Sequence, residues 1–250
     1  EALMRWKRPD TDEWVLPEEF IPVAEEANLI TILGEWIFRK ACRQHQLWRE
    51  LGLPPLRMGI NVSPKQLRSN GFTELVKLIL KEYKIEPHYV EVEITEKAIE
   101  GREEEQIIEA LLALKNCGVS LALDDYGTGQ SSLKRLRTFP VRTLKIDKTF
   151  IDDFLSCEDQ CSIVSGTIGL GKNLGKVIIA EGVETEHQRK ALLELGCDEM
   201  QGYYYSKPIS SSAMEELLLQ NLLVLQKELG DGHIGKESWG WSIRAEIFDL

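Results

Sequence analysis

The chain has 250 residues, 43% of them hydrophobic and 28% charged, with a formal net charge of −11 at neutral pH. Those proportions belong to a globular protein long enough to bury a sizeable core, and they exclude a disordered or collagen-like chain. No apolar run approaches the roughly 20 residues of a bilayer span, and the acidic balance argues against a DNA or RNA polymer as partner and against direct membrane insertion.

The predicted elements alternate. Residues 1–6 read as the end of a strand. Phe20, Ile21, Ala24 and Leu29, then Leu33, Trp36, Ile37, Ala41 and Trp48, recur at helical spacing and predict helices over 17–28 and 30–51. Pro17 suits a first helical turn, and Gly52, Pro54 and Pro55 end the second helix. Then follow a strand over 57–62, a helix over 64–83, a strand over 89–94, a helix over 103–116 and a strand over 119–123. A short helix over 131–138 precedes a strand over 142–146, a helix over 158–173 and a strand over 176–180. A helix over 186–195, a short strand over 199–201 and a last helix over 211–228 complete the series.

Apolar strands alternating with helices imply a parallel sheet, because each parallel crossover needs a helix. Repeated units of this kind without a G-x-G-x-x-G fingerprint favour a (β/α) barrel over an open dinucleotide-binding sheet. Residues 1–228 are expected to form that barrel, with 229–250 a C-terminal extension of unassigned role. Within the extension Trp241, Ile243, Ala245 and Ile247 alternate as an extra strand would.

The five cysteines, Cys42, Cys117, Cys157, Cys161 and Cys197, include no C-x-x-C pair and have no ligand-spaced histidine. They read as reduced, mostly buried thiols of a cytoplasmic protein. The sequence opens at Glu1 with no initiator Met, so it is expected to be a piece of a longer protein, which would leave room for a membrane anchor elsewhere.

Nearly every predicted strand ends in a polar group that an apolar strand does not need. These are Asn61, Glu93, Asp124 with Asp125, Lys145, Glu181 and Gln201, with Glu1 as a seventh. One acid at a strand end is most often a helix cap or a solvated loop residue. Six in succession are not explained that way, because the strand ends of a barrel converge on one mouth. Converging carboxylates repel unless cations neutralise them, and an all-oxygen set suits Mg²⁺ or Mn²⁺ rather than zinc. Two adjacent aspartates let one of them bridge two ions about 4 Å apart, the arrangement that clamps a phosphoryl displacement. Lys145 and Gln201 would then orient water or phosphate. Trp6, Trp36 and Trp48 read as core, with Trp6 also near the site through Arg5. Trp239 and Trp241 read as caps on an apolar edge, and Glu25-Glu26 and Glu103-Glu104-Glu105 as solvated helix faces.

Several motifs now stand in order. They are Glu1-Ala2-Leu3 with Arg5, Pro17-x-x-Phe20-Ile21-x-x-Ala24-Glu25, Asn61-Val62-Ser63 and Glu93-Ile94-Thr95-Glu96. They continue with Asp124-Asp125-Tyr126-Gly127-Thr128-Gly129, Lys145-Ile146-Asp147, Ala180-Glu181-Gly182-Val183-Glu184-Thr185 and Gln201-Gly202-Tyr203. Over about residues 1–215 this series resembles the EAL-domain family of cyclic di-GMP phosphodiesterases.

The resemblance implies a modified TIM barrel that opens cyclic di-GMP into linear pGpG, acts in bacterial second-messenger signalling and forms a homodimer. Family members carry a strand of Q-P-I type before EAL. It is absent here, so the expected fold is an EAL-type barrel without its N-terminal strand, and the tail is not expected to replace it because the sequences differ. The resemblance further implies that Glu1, Asn61, Glu93 and Asp124 ligate a first metal, that Asp124 and Asp125 ligate a second, and that Glu181 serves the second metal or its water. Lys145 would contact the nucleophilic water, Gln201 would hold the water network, Arg5 would contact substrate phosphate and Glu96 would prop the loop after the aspartates. Tyr126, Gln130 and Lys148-Thr149 depart from the usual pattern but remove no ligand. The alternative is a non-hydrolysing cyclic di-GMP receptor, although such members usually lack several ligands. A glycosidase built on a carboxylate pair fits the adjacent aspartates and Lys145 less well.

Overall fold

The structure, a computed structural model, describes residues 1–99, 104–128, 133–229 and 245–246. Strands β1 (Ala2–Leu3) and β2 (Trp6–Lys7) open it, and β2 pairs back antiparallel onto β3 (Trp14–Val15). Helix α1 (Pro17–Glu26) starts on Pro17, and α2 (Ile30–Glu50) lays Ile37, Phe38, Ala41, Cys42, His45 and Trp48 along one buried stripe. After β4 (Met58–Asn61), the predicted helix over 64–83 is two: α3 (Pro64–Leu67) and α4 (Phe72–Glu82). Ser63 caps the first, and Gly71, with φ +89°, turns the chain into the second. A left-handed residue cannot continue a helix, and hydrophobic spacing does not register it.

Strand β5 (Val90–Thr95) precedes α5 (Glu104–Asn116), and β6 (Ser120–Tyr126) runs three residues beyond the predicted strand, through both aspartates. Next come α6 (Leu133–Thr138), β7 (Thr143–Ile146), the short α7 (Lys148–Ile151), α8 (Glu158–Asn173) and β8 (Val177–Ala180). Helix α9 (Glu186–Glu194), β9 (Glu199–Met200), β10 (Ile209–Ser210), α10 (Ser211–Leu229) and β11 (Ala245–Glu246) end the order.

The main sheet has nine strands in the order β10-β11-β1-β4-β5-β6-β7-β8-β9, every pair parallel. It curls into a half-barrel, the EAL-type, TIM-like architecture expected from the sequence. Along β5, Val90, Val92 and Ile94 pack outward into the core beneath the helices, together with Leu121, Leu123, Leu144, Ile146, Ile178 and Ala180. The alternate residues face the barrel interior, and they are unusually polar: Glu91, Glu93, Thr143 and Lys145 are all buried.

Three expectations need correction. Trp6 is not core: it is exposed, meeting Phe20 edge to ring, whereas Trp48 is buried and Trp36 half-buried. All five cysteines are free, but only Cys42 and Cys197 are buried. The tail does contribute to the sheet, because Ala245–Glu246 pairs between β1 and β10. Glu103, Gln130, Trp239 and Trp241 lie outside the described residues. No helix among those residues is long and apolar enough to cross a membrane.

Candidate active site

Parallel strands in register deliver their inward-facing ends to one mouth. Asn61 pairs with Glu93, Thr95 with Asp124, and Lys145 with Ile179, two residues before Glu181. Lys145, 1% exposed, sits at the centre. Its Nζ lies 2.5 Å from Glu93 Oε2, 3.0 Å from Glu181 Oε1, 3.2 Å from Asp124 Oδ1 and 3.6 Å from Glu1 Oε2. Asn61 Nδ2 donates to Glu1 Oε1 at 2.8 Å, and Gln201 Nε2 donates to Glu181 Oε1. The other strand-end positions are therefore joined to Lys145, directly or through one intervening carboxylate.

Asp125 needs a separate cause. Strand alternation sends adjacent residues to opposite faces, so Asp124 and Asp125 would normally diverge. Here the β6–β7 register shifts between Leu123 and Tyr126, and Asp125 adopts φ +52°. That bulge turns both side chains to the mouth, with the Asp125 amide donating to Asp124 Oδ1 at 3.0 Å. A non-glycine residue held left-handed is strained, and such strain gathers at functional sites.

Two carboxylate triads result, Glu1–Glu93–Asp124 and Asp124–Asp125–Glu181, each with ligand atoms within 4.8 Å of one another. Asp124 belongs to both. The donors are carboxylate oxygens with the Asn61 amide alongside, a set that suits hard divalent cations. Charge points the same way, since five acids surround one ammonium. Burial pushes the Glu93 carboxyl up to about 8, with Glu1 and Asp124 adding to the rise and Lys145 opposing it. Burial also lifts Asp125, to about 6, helped by Asp124 and Asp147. Burial works against the charge on Lys145, but Glu1, Glu93, Glu181 and Asp124 outweigh it and hold the ammonium well above its ordinary pKa. Acids held this far above their usual range are those a cation would discharge. The residues present therefore fit a metal centre.

Around this core, Glu96 Oε2 accepts from the Gly127 amide at 2.9 Å, tying the loop after the aspartates to the end of β5. Arg5 is half-buried between β1 and β2 and donates to the Met4 carbonyl. Two residues escaped sequence reasoning. Asp147, which follows β7 and caps α7, is close enough for its charge to raise the Asp125 carboxyl, and its signal was its position two residues beyond Lys145. Gly59 lies beneath Glu93, where a Cβ would collide with the Glu93 carboxylate. A glycine in a strand is the signal for such a close approach. At the rim, the Nζ atoms of Lys148 and Lys207 stand 5.7 and 5.5 Å from the exposed Tyr203 ring.

Comparison with known proteins identifies similar chains. The EAL domain family matches residues 1–208. The signaling protein YkoW of Bacillus subtilis is 39% identical over 221 residues, 88% of this chain and 27% of that protein. The bifunctional diguanylate cyclase/cyclic di-GMP phosphodiesterase MucR of Pseudomonas aeruginosa is 36% identical over 214 residues, 86% of this chain and 31% of that one. This chain thus spans about a quarter to a third of the curated relatives it matches. Among solved structures, the MucR phosphodiesterase in complex with c-di-GMP superposes with a TM-score of 0.76 at 36% identity, covering 82% of each chain. The EAL domain of Mycobacterium smegmatis DcpA gives 0.72 at 40% identity, covering 77% of this chain and 86% of that one.

Proposed function

This chain belongs to the EAL domain family, and from that premise we propose that it is a metal-dependent phosphodiesterase hydrolysing cyclic di-GMP to linear pGpG. One observation carries the reading: two carboxylate triads, each with two buried members and one half-buried, share Asp124 around the Lys145 ammonium. Glu1, Asn61, Glu93 and Asp124 would hold one Mg²⁺ or Mn²⁺, and Asp124 and Asp125 a second, with Glu181 beside it. Such ions, when bound, neutralise the phosphate and lower the pKa of a coordinated water.

The chain's own groups would do the rest. Glu181, to which the Gln201 amide donates, would take a proton from the attacking water. Lys145 holds a positive charge where negative charge develops on the phosphoryl oxygens, in a pocket that excludes bulk water. Arg5 would contact the second phosphate of the cyclic substrate. In the step itself a water oxygen bonds phosphorus and the bond to the ribose 3′ oxygen breaks. That oxygen takes up a proton, and the phosphate stays on the 5′ side, which is the connectivity of pGpG. Glu96, through the Gly127 amide, sets the loop that carries the aspartates.

The test incubates purified chain with cyclic di-GMP and Mg²⁺ or Mn²⁺, with Asp125→Ala as control, and separates the products by chromatography. Metal-dependent pGpG that is lost in the control is the expected result. Binding of the dinucleotide without product would replace the enzyme with a receptor. Neither binding nor product from a folded sample would overturn the substrate assignment.

A further inference from the structure

The second triad draws its acids from two loops that are not neighbours. Asp125 stands in the bulge that ends β6, and Glu181 lies just past β8, with β7 between the two strands. Beyond the strand ends the sheet ladder no longer spaces them, yet their carboxylates close to within 4.8 Å. The short helix α7, which follows β7, stands between the two loops.

Helix α7 touches both loops at a glycine. The Phe150 ring occupies the space where a Cβ of Gly127 would stand, two residues after Asp125. The Lys148 methylenes occupy the same place at Gly182, one residue after Glu181. Both glycines hold positive φ, +103° and +72°, so each turn needs its glycine twice over, for backbone freedom and for the close approach. Side chains two positions apart on a helix diverge by about 200°, which is why Phe150 and Lys148 reach opposite loops.

A second tie fastens α7 to the Glu181 loop from behind. Gln188, 6% exposed, lies in the first turn of α9. Its Oε1 accepts from the Glu184 and Thr185 amides at 2.8 and 2.9 Å, and its Nε2 donates to the Ile151 carbonyl of α7 at 3.0 Å. The first pair of bonds belongs to a capping box, which glutamate would complete as well as glutamine. The bond to Ile151 is outside that motif and requires the amide's donor. A glutamine is therefore specified here by the bridge to α7.

We propose that α7 is the spacer that sets Asp125 against Glu181, and that Gln188 and Phe150 are the positioning residues through which it governs the second metal position, an inference that rests on reading the cluster as a metal centre. Gln188 fixes the Glu181 loop to α7, and Phe150 fixes the aspartate loop to it. Neither touches a carboxylate of the first triad.

The test titrates the full chain with Mn²⁺ by calorimetry and by electron paramagnetic resonance. Asp125→Asn marks which binding event belongs to the second position. Gln188→Glu keeps the cap on α9 and removes only the donor to Ile151. It is expected to bind the first Mn²⁺ as the parent does and the second about 10-fold or more weakly, the range seen when support around a metal ligand is lost. The spectrum of the coupled ion pair should appear only at correspondingly higher Mn²⁺. Phe150→Leu, which empties the space beside Gly127, should act in the same direction and serves if the first variant does not fold. The double variant should fall little below the weaker single one, because either break frees the spacer from one of its loops. A folded Gln188→Glu chain that binds the second Mn²⁺ as tightly as the parent overturns the proposal and leaves the phosphodiesterase reading standing. Equal losses at both positions, or losses that multiply in the double variant, overturn it too. A parent chain that binds no Mn²⁺ removes the metal reading itself.

Discussion

The two ends of the barrel interior are built from alternate residues of the same strands, and they differ in how charge is balanced. At the strand starts, Thr143 Oγ1 donates to Glu91 Oε1 at 2.7 Å, and Arg57 Nε lies 3.4 Å from Glu91 Oε2. Arg57 Nη2 also reaches both oxygens of Glu199 at 2.8 Å. Two acids meet one guanidinium and a hydroxyl, and the network is complete. Two residues further along the same strands, Glu93 replaces Glu91 and Lys145 replaces Thr143, and four carboxylates converge on a single ammonium. Buried charge is common to both ends. The acids outnumber the cation by one at the strand starts, where the Glu199 side chain is also partly exposed, and by three at the strand ends, and a large excess of buried carboxylates is relieved by protons or by cations. The imbalance, rather than the burial, marks the functional end.

The sharpest way to break this comparison is to change one residue at each end. Asp124→Asn removes the carboxylate shared by both triads. Metal-dependent turnover of cyclic di-GMP should fall by about 10³-fold or more, in line with the loss of a principal electrostatic element of an active site. The melting temperature should hold or rise, because one member of a repelling set has gone. Calorimetry and product chromatography on the same sample check both halves. A large loss of stability would mean that the upper layer is structural after all.

Arg57→Met makes the opposite prediction. It strands Glu91 as an uncompensated buried charge, and breaking such a pair costs about 3–5 kcal/mol. Arg57 keeps a partly exposed side chain, so the lower end of that range applies. Denaturant unfolding should show the loss, while Mn²⁺ affinity per folded molecule stays near that of the parent.

Acidity separates the layers a third time. The folded pKa of Glu93, about 8, lies above its unfolded value, so the metal-free fold holds that proton through neutral pH. A cation must displace it. Mn²⁺ affinity should therefore rise as pH increases from about 6 to about 8, by up to about 10-fold per unit for one displaced proton, and level off above. The sign is that of a group whose proton stabilises the metal-free state. Titration calorimetry in two buffers of different ionisation enthalpy would count the protons released. A flat affinity across this window would show that Glu93 is already ionised beside Lys145.

Much of this was legible in the sequence, and the parts that were not share a cause. The convergence of the strand ends was legible because polar residues closing apolar strands stand out against their neighbours, and because parallel register brings strand ends together whatever the helices do. The lower layer was invisible for the same reason: Glu91 and Thr143 lie inside strands, where a polar residue reads as ordinary alternation. Asp125 was named as a ligand, but the bulge that turns it beside Asp124 has no periodic signature. The break at Gly71 and the place of β11 depend on one left-handed residue and on pairing across more than two hundred residues, and local pattern carries neither.

The smallest expected effect tests how the site is held. Glu96 is 2% exposed, and its carboxylate accepts from the Gly127 amide. Gly127, at φ +103°, has the Phe150 ring where a Cβ would stand, so the turn is fixed by shape as well as by that hydrogen bond. Glu96→Gln keeps an acceptor and removes only the charge. The loss should be about 0.5–1.5 kcal/mol, roughly 3- to 10-fold in turnover, with Mn²⁺ affinity little changed because none of the triad oxygens moves. If turnover fell as far as in Asp124→Asn, the Glu96 charge would belong with the acids that face the substrate, and the excess that distinguishes the two layers would be larger than the two triads account for.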